Sequence, residues 1–477
     1  MIQSEEFLYT QIAEKLETNI TQGVLKTGDK LISVRMLSKE QGISISTAFK
    51  AYTQLEIKGL IEARPKSGYY VRYTPRKSVS YLSKTESQSI EDVSVDEMMT
   101  LVSKEVRSEG MVKFSWAAPS LELLPMAKLN KALAEAVRRS DTSCINYEEI
   151  QGNIVLRKQI ARHAFNWGGV ISEDDVVTTQ GCIEALFFCL KAVSKPGDTI
   201  AIESPAYFGT FRLLKSLGLK VLEIPTEPET GIVLSYLEDA IKKVKLAACL
   251  FVTNFTNPQG SLMPDENKKE LVKLLATHSI PLIEDDIYGD LYFGKTRPRT
   301  CKSYDKKGLV MLCSSVSKSL APGYRVGWCI PGKFTQDVIN LKISHSISSA
   351  TPTQSAIGLF LETGRFDLHL RNLRKALYTQ FLRYVQAITE HFPEDVKISE
   401  PKGGYVVWIE LNPVVDAFKL YKSALKYNIS IGPGQIFSTD GRFKNFIRIS
   451  FGIPFSREID NSLRILGTLI KDLIKTK

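Results

Sequence analysis

Near the start of the chain, Leu8, Ile12, Leu16 and Ile20 recur every fourth position among polar neighbours. That spacing puts them on one face of a helix over residues 5–22, which Gly23 stops. Gly28 follows in a turn. A short helix fits residues 34–41 and ends at Gly42. A third fits residues 46–58, with Ser46 as N-cap and Gly59 as its stop. On that third helix and just beyond it, Phe49, Leu55 and Leu60 face inward. Two β-prone runs, Ile61–Arg64 and residues 69–72, flank the turn Pro65-Lys66-Ser67-Gly68 and predict a hairpin. Three helices and a hairpin make a winged helix-turn-helix, placed at residues 1–73.

The pattern then changes twice. Residues 74–112 are rich in Ser, Lys, Glu, Thr and Asp and read as a partly flexible linker. Its apolar pairs Met98-Met99 and Leu101-Val102 start a short helix that belongs to the next domain. From residue 113 to 477, β-prone apolar runs at 199–202, 247–252, 281–283 and 309–312 alternate with helical patterns such as 184–193 and 267–277. Strands apolar on both faces, separated by helices, predict an α/β domain on a mostly parallel sheet. Ligands of such sheets bind at the loops beyond the strand C-termini.

Composition adds boundaries. A chain of 477 residues has room for two or three domains, and 43% hydrophobic with 24% charged residues is ordinary globular usage. No apolar run approaches the roughly 18 residues of a membrane span. The first six residues, Met1 to Glu6, are polar and acidic and do not read as a signal peptide. Seven cysteines stand singly, which fits free thiols in a reducing cytoplasm. The histidines at 163, 278, 345, 369 and 391 have no ligand spacing, so no metal site is expected. Net charge is +10, and residues 1–77 hold 12 Lys and Arg against 8 Asp and Glu. An excess concentrated on a winged helix points towards nucleic acid.

The chemistry gathers after the last predicted strand. Ser315-Val316-Ser317-Lys318 runs into Pro322-Gly323-Tyr324-Arg325-Val326-Gly327. Lys318 alone reads first as a solvated loop lysine, but the whole string resembles the signature of fold-type-I pyridoxal 5'-phosphate (PLP) aminotransferases. The resemblance implies PLP as cofactor, Lys318 as the Schiff-base lysine, and Ser315, Ser317 and Arg325 on the phosphate. Ile283-Glu284-Asp285-Asp286-Ile287-Tyr288 is similar to the strand end whose carboxylate pairs with the pyridine nitrogen. Asp285 has the right offset from Tyr288, which would reach the ring's phenolic oxygen, with Asp286 as rival.

Further strings fall in the family's order. Asn257 of Asn257-Pro258-Gln259-Gly260 would also reach the phenolic oxygen. Gly181 enters a helix whose backbone N–H groups at Cys182 and Ile183 would cradle phosphate; the Cys182 side chain itself reads as packing, not as a nucleophile. Tyr207, in Glu203-Ser204-Pro205-Ala206-Tyr207, would stack on the ring, a core aromatic being the other reading. Tyr147 matches a tyrosine that reaches the phosphate of a neighbouring subunit, implying a homodimer, although Glu148 stands where the family has glycine. Arg448, among apolar neighbours, matches the arginine that clamps a substrate carboxylate; a structural ion pair is the competitor.

Residues 5–72 resemble the winged helix of GntR-type regulators, through residues 23–35, Thr47, Tyr52, Leu55, Gly59-Leu60-Ile61 and Ser67-Gly68-Tyr69. The resemblance implies an operator of double-stranded DNA, contacted by Arg35, Ser44, Ser46, Thr47 and Lys50, with Arg64, Lys66 and Gly68 at the wing. Ile32 replaces the family's proline and Ile45 its arginine, so affinity or sequence choice would differ. Winged helix, linker and aminotransferase-like domain together resemble the MocR-type regulators. That implies a cytoplasmic regulator sensing an amine, an amino acid or PLP itself. The alternative is an aminotransferase with an accessory N-terminal domain.

Overall fold

The computed structural model describes residues 8–64, 67–72, 91–92, 98–100, 102, 110–139 and 144–475. The N-terminal module contains helices α1 (Leu8–Thr21), α2 (Val34–Glu40) and α3 (Ile45–Ile57), then the strands β1 (Ile61–Arg64) and β2 (Gly68–Val71). The strands form an antiparallel hairpin with Ile61 opposite Val71. Ile12 and Ile20 of α1 pack into a core with Ala48, Ala51, Tyr52 and Leu55 of α3, whereas Leu8 is exposed. The Tyr52 hydroxyl donates to the Ile32 carbonyl at 2.7 Å, tying α3 to the turn before α2.

Two expectations about α3 need correcting. Its N-cap is Ser44 rather than Ser46: Ser44 has extended backbone, and its Oγ accepts the Thr47 N–H at 3.0 Å. A cap must sit where extended backbone turns helical, and Ser46 is already inside the first turn. Phe49 does not face inward. It is 53% exposed, because the inner face of α3 is filled by Ala48, Ala51, Tyr52 and Leu55.

The larger domain is built on a nine-stranded sheet. Its strands are β3 (Glu91–Asp92), β5 (Val177–Thr179), β6 (Thr199–Ser204), β7 (Lys220–Glu227), β8 (Gly231–Ile232), β9 (Leu246–Phe251), β10 (Leu282–Asp285), β11 (Val310–Ser315) and β12 (Gly327–Ile330); β4 (Val112–Lys113) lies outside it. The order is β3-β7-β6-β9-β10-β11-β12-β5, with β8 on β7. The run from β7 to β11 is parallel, and β3, β12 and β5 join antiparallel. Every residue of β6 and of β11 is buried, which is why their middles, residues 200–202 and 310–313, read as unbroken apolar runs.

A second sheet, β13 (Lys397–Ile398), β14 (Val406–Glu410), β17 (Phe446–Ser450) and β16 (Gly432–Pro433), carries the C-terminal residues. The strand β15 (Ile429–Ser430) pairs in parallel with β4. Part of the stretch read as linker is built into this domain: β3 pairs with β7, and Met99 and Val102, both helical, are buried.

The two modules touch along the helix Arg365–His391. Arg72 pairs with Glu390 at 3.0 Å. Lys58, in a buried ion pair with Glu17, lies 5.5 Å from the Tyr378 ring centre. Beside this contact runs a cleft of about 680 Å³.

Candidate functional site

Strand pairing brings distant residues together. Asp285 at the end of β10 faces Cys313 of β11, and Gly327 of β12 faces Thr179 of β5. The loop after β11 and the helix Cys182–Val193 after β5 therefore open at the same edge.

At Gly181 the chain turns with φ +89°, and a Cβ there would fall 2.2 Å from Arg325 Nη2. Only glycine lets the guanidinium lie across this helix N-terminus. Arg325 donates from Nη2 to the Gln180 carbonyl at 2.9 Å and from Nη1 to Ser317 Oγ at 3.3 Å. Ser315 Oγ accepts the Ser317 N–H at 3.2 Å. Arg325 itself sits at φ +53°, a left-handed conformation that is costly for a side-chain-bearing residue and recurs at functional sites. Cys182 is buried, with its thiol pushed well above the usual range by burial, and so is no nucleophile. Ile183 is partly exposed in the same turn.

The geometry separates the two neighbouring carboxylates. Asp286 is buried and fully engaged, accepting from Arg297 Nη2 at 2.5 Å and Asn254 Nδ2 at 2.8 Å. Among the described residues, Asp285 accepts the Ile287 N–H at 3.1 Å and the Cys182 thiol at 3.3 Å, both through Oδ1. Burial pushes its carboxyl up to about 6. Asn257 Nδ2 donates to the Tyr288 hydroxyl at 3.2 Å, and Arg448 Nη1 donates to Asn257 Oδ1 at 2.9 Å. Tyr207 belongs to the same cluster, its hydroxyl raised by burial and felt electrostatically by Arg448 and Asp285.

Arg448 is 1% exposed, yet among the described residues no carboxylate pairs with it. Its Nη2 donates to the Ser115 carbonyl, and its Nε has no hydrogen-bond partner among the described residues. Burial lowers its affinity for its proton. A buried guanidinium without a counter-ion is costly unless an anion completes it. Lys318 Nζ donates to the Ala117 carbonyl at 2.7 Å and lies 5.9 Å from the Trp116 ring centre. Burial, then the nearby Arg448, brings its ammonium down to about 8.

Tyr147 stands apart from this cluster, 82% exposed. Ser115 and Ala117 were invisible to sequence reasoning, since they contribute through backbone carbonyls that no residue type signals, and Trp116, whose ring lies near Lys318, stands in no motif. Glu203 was missed too. It is buried near Asp285, with its carboxyl raised to about 8 by burial. The Glu-Ser-Pro-Ala-Tyr string that drew attention to Tyr207 was the available signal.

On the N-terminal module, Arg35, Ser44, Ser46 and Lys50 are exposed and Thr47 is half-buried. Ser44 Oγ lies 2.8 Å from both the Ser46 and the Thr47 hydroxyls. Arg64 pairs with Glu62 at 2.8 Å and stacks 4.3 Å from the Tyr70 ring centre. Gly68 turns the wing at φ +108°. Lys66 lies outside the described residues. Ile45 and Phe49 add two exposed apolar side chains to this face of α3.

Residues 8–71 match the gntR family of bacterial regulatory proteins, and residues 111–461 match the aminotransferase class I and II family. The chain belongs to the MocR-type regulators. Two Escherichia coli K12 relatives align with this chain over nearly full length. The HTH-type transcriptional regulators YjiR and YdcR, themselves uncharacterized, are each 36% identical over 97% of this chain, covering 98% and 99% of their own lengths. Among solved structures, LysN, an α-aminoadipate aminotransferase from Thermus thermophilus complexed with N-(5'-phosphopyridoxyl)-L-leucine, aligns at TM-score 0.72. It is 26% identical and covers 79% of this chain and 98% of its own. The N-terminal module is thus a GntR-type winged helix and the larger one a fold-type-I aminotransferase domain.

The residues present in this MocR-type chain suit PLP. A glycine-floored cradle beside Arg325, two serines, an amine at Lys318 and a buried carboxylate at Asp285 match an anionic phosphate, an aldehyde and a pyridinium.

Proposed function

We propose that this protein is a DNA-binding transcription regulator that holds PLP at Lys318 and senses an amine, an amino acid or PLP itself. The observation that carries the reading is one chain bearing two separate binding faces. Lys318 lies within electrostatic reach of Arg448, Asp285 and Arg325, while Arg35, Ser44, Ser46 and Lys50 are exposed on the winged helix. We divide the chain into a DNA-binding domain at 1–73, a linker at 74–112 and a PLP domain at 113–477. Tyr147, exposed on its own protomer, would reach the cofactor of a second copy, so the working unit is a cytoplasmic homodimer.

PLP bound here would supply an aldehyde that condenses with primary amines and a ring that accepts electrons. The chain's own groups have separate tasks. Arg325, Ser315, Ser317 and the N–H groups of Cys182 and Ile183 would hold the phosphate. Asp285, ionised at neutral pH, would pair with the pyridine nitrogen. Tyr288 and Asn257, already hydrogen-bonded, would present donors to the phenolic oxygen. Tyr207 would cover the ring face. Arg448 would take the ligand's carboxylate. Outside the pocket, Thr47, Arg64, Lys66 and Gly68 would join the exposed residues of α2 and α3 on DNA.

Two measurements test this. DNA from upstream of the protein's own gene should shift on a gel, with affinity falling steeply as salt rises; no shift at low salt would exclude the regulator. Protein purified with PLP should show the visible absorbance of lysine-bound cofactor, and Lys318→Ala should lose it while still shifting DNA. An aminotransferase is the second reading, favoured by a buried Arg448 that no carboxylate among the described residues neutralises, beside a complete lysine site. Steady turnover of amino acid with keto acid at about 1 per second or faster would establish it.

A further inference from the structure

Two large apolar side chains stand at the beginning of α3 where packing within the module does not use them. Ile45 opens the helix directly after the Ser44 cap, and Phe49 follows one turn later, so both lie on the same side. Each is more than half exposed. The polar groups around them are already engaged. Ser44 Oγ accepts the Thr47 N–H and lies 2.8 Å from both the Ser46 and the Thr47 hydroxyls. One turn on, the Thr53 hydroxyl donates to the Phe49 carbonyl at 3.0 Å. Lys50 reaches towards α1, its ammonium 6.0 Å from the Tyr9 ring centre. The hydrogen-bonding capacity that remains suits phosphate, which every sequence supplies. Ile45 and Phe49 themselves offer a base edge neither donor nor acceptor.

We propose that Ile45 and Phe49 read thymine in the major groove by packing on its 5-methyl groups, and so set this protein's choice of operator. The inference rests on the reading of the winged helix as the DNA-binding module. In a helix-turn-helix the second helix lies in the major groove, and its N-terminal residues meet the base edges. α3 is that helix, and Ile45 and Phe49 fall in its first two turns. Of the four bases, thymine alone shows an apolar group in that groove. A side chain packed on the methyl takes both surfaces out of water, and burying one such group is worth about fourfold in affinity. The same side chain pressed on a cytosine amino group or a guanine carbonyl would strand a polar group without water, which counts against the wrong base. Attraction to thymine and rejection of the other bases therefore come from one pair of residues. Arg35, exposed on α2, and Lys50 supply the charge that holds the helix to the backbone of any sequence.

The test uses full-length protein and two probes of the same DNA from upstream of its own gene, one synthesised with thymidine and one with deoxyuridine throughout. The probes differ in the 5-methyl groups alone, and no other base in them is methylated. In gel shifts the wild type should bind the uracil probe at least about fourfold more weakly. Ile45→Ala combined with Phe49→Ala should bind the two probes alike. Its slope of affinity against salt should stay that of the wild type, because neither side chain meets a phosphate. Equal binding of both probes by the wild type overturns the proposal. So does a uracil penalty that persists in the double variant, since groove shape or another residue would then be the reader. A folded double variant that shifts neither probe overturns it as well, because methyl contacts do not carry the backbone affinity. A changed oligomeric state in that variant, read by gel filtration, would give the pair to a second copy of the chain instead. Thermal melts check folding; should the double variant fail to fold, Ile45→Ala alone must show a smaller uracil penalty than the wild type. Wild-type protein that shifts no thymine probe at low salt refutes the regulator reading; protein that shifts both probes equally refutes this inference alone.

Discussion

Lys318 and Asp285 are opposite charges in surroundings that favour neither. Burial holds the ammonium down at about 8 and the carboxyl up at about 6. The signs follow from proton linkage. Asp285 binds its proton more tightly folded than unfolded, so its contribution to stability falls as pH rises from about 4 to about 6 and stays unfavourable above. Lys318 binds its proton less tightly folded, so its penalty is full below about 8 and lifts as pH climbs towards 10.5. Neutral pH is where both are charged and both cost. In protein stripped of PLP, Asp285→Asn should therefore raise stability at pH 7 by on the order of 2 kcal/mol. It should also flatten the slope between pH 4 and 6. Urea unfolding at pH 4.5 and pH 7 checks this, and an unchanged slope would mean that Asp285 is not the strained group. Weaker PLP binding by the same variant would show what the strain is kept for.

At the scale of elements, the cap of α3 gives a sharp contrast. Ser44 and Ser46 are both exposed serines at the start of α3, but of the two Ser44 is the one that accepts a backbone N–H among the described residues. Ser44→Ala should cost about 1 kcal/mol of winged-helix stability, as lost caps do, and Ser46→Ala only a few tenths. Thermal melting of the two variants decides it, and equal effects would move the cap. The same contrast shows what was legible. Periodicity placed α1 to α3 and the buried strands within a few residues, because burial on one or both faces writes itself into apolar spacing. It missed which serine turns the corner, since two serines separated by one residue satisfy the same pattern. It also sent Phe49 inward, although Ala48, Ala51, Tyr52 and Leu55 already fill that face. In the pocket, side-chain chemistry made Lys318, Asp285 and Arg448 visible. The partners Ser115 and Ala117 stayed hidden because they meet Arg448 and Lys318 through main-chain carbonyls.

For the whole molecule, the joint between the two modules turns on one buried cation. Lys58 caps the end of α3, pairs with Glu17 of α1, and faces the Tyr378 ring on the helix Arg365–His391. It therefore braces the winged helix internally and meets the large domain with the same ammonium. Glu17 Oε1 has no hydrogen-bond partner among the described residues, so the pair depends on Lys58 for its compensation. Removing one partner of a buried pair strands the other charge, at about 3–5 kcal/mol, whereas replacing both with apolar groups is often neutral. Lys58→Met should accordingly destabilise the winged helix severely, and Glu17→Met with Lys58→Met should recover most of the loss. Arg72→Ala, which breaks the exposed pair with Glu390, should cost less than about 1 kcal/mol. The large domain has its own core, so PLP absorbance should survive in all three proteins. Gel shifts separate bracing from docking. If the double variant melts normally yet binds DNA without responding to amino acids, the contact with Tyr378 carries the signal. If it responds like the wild type, Lys58 serves only the winged helix.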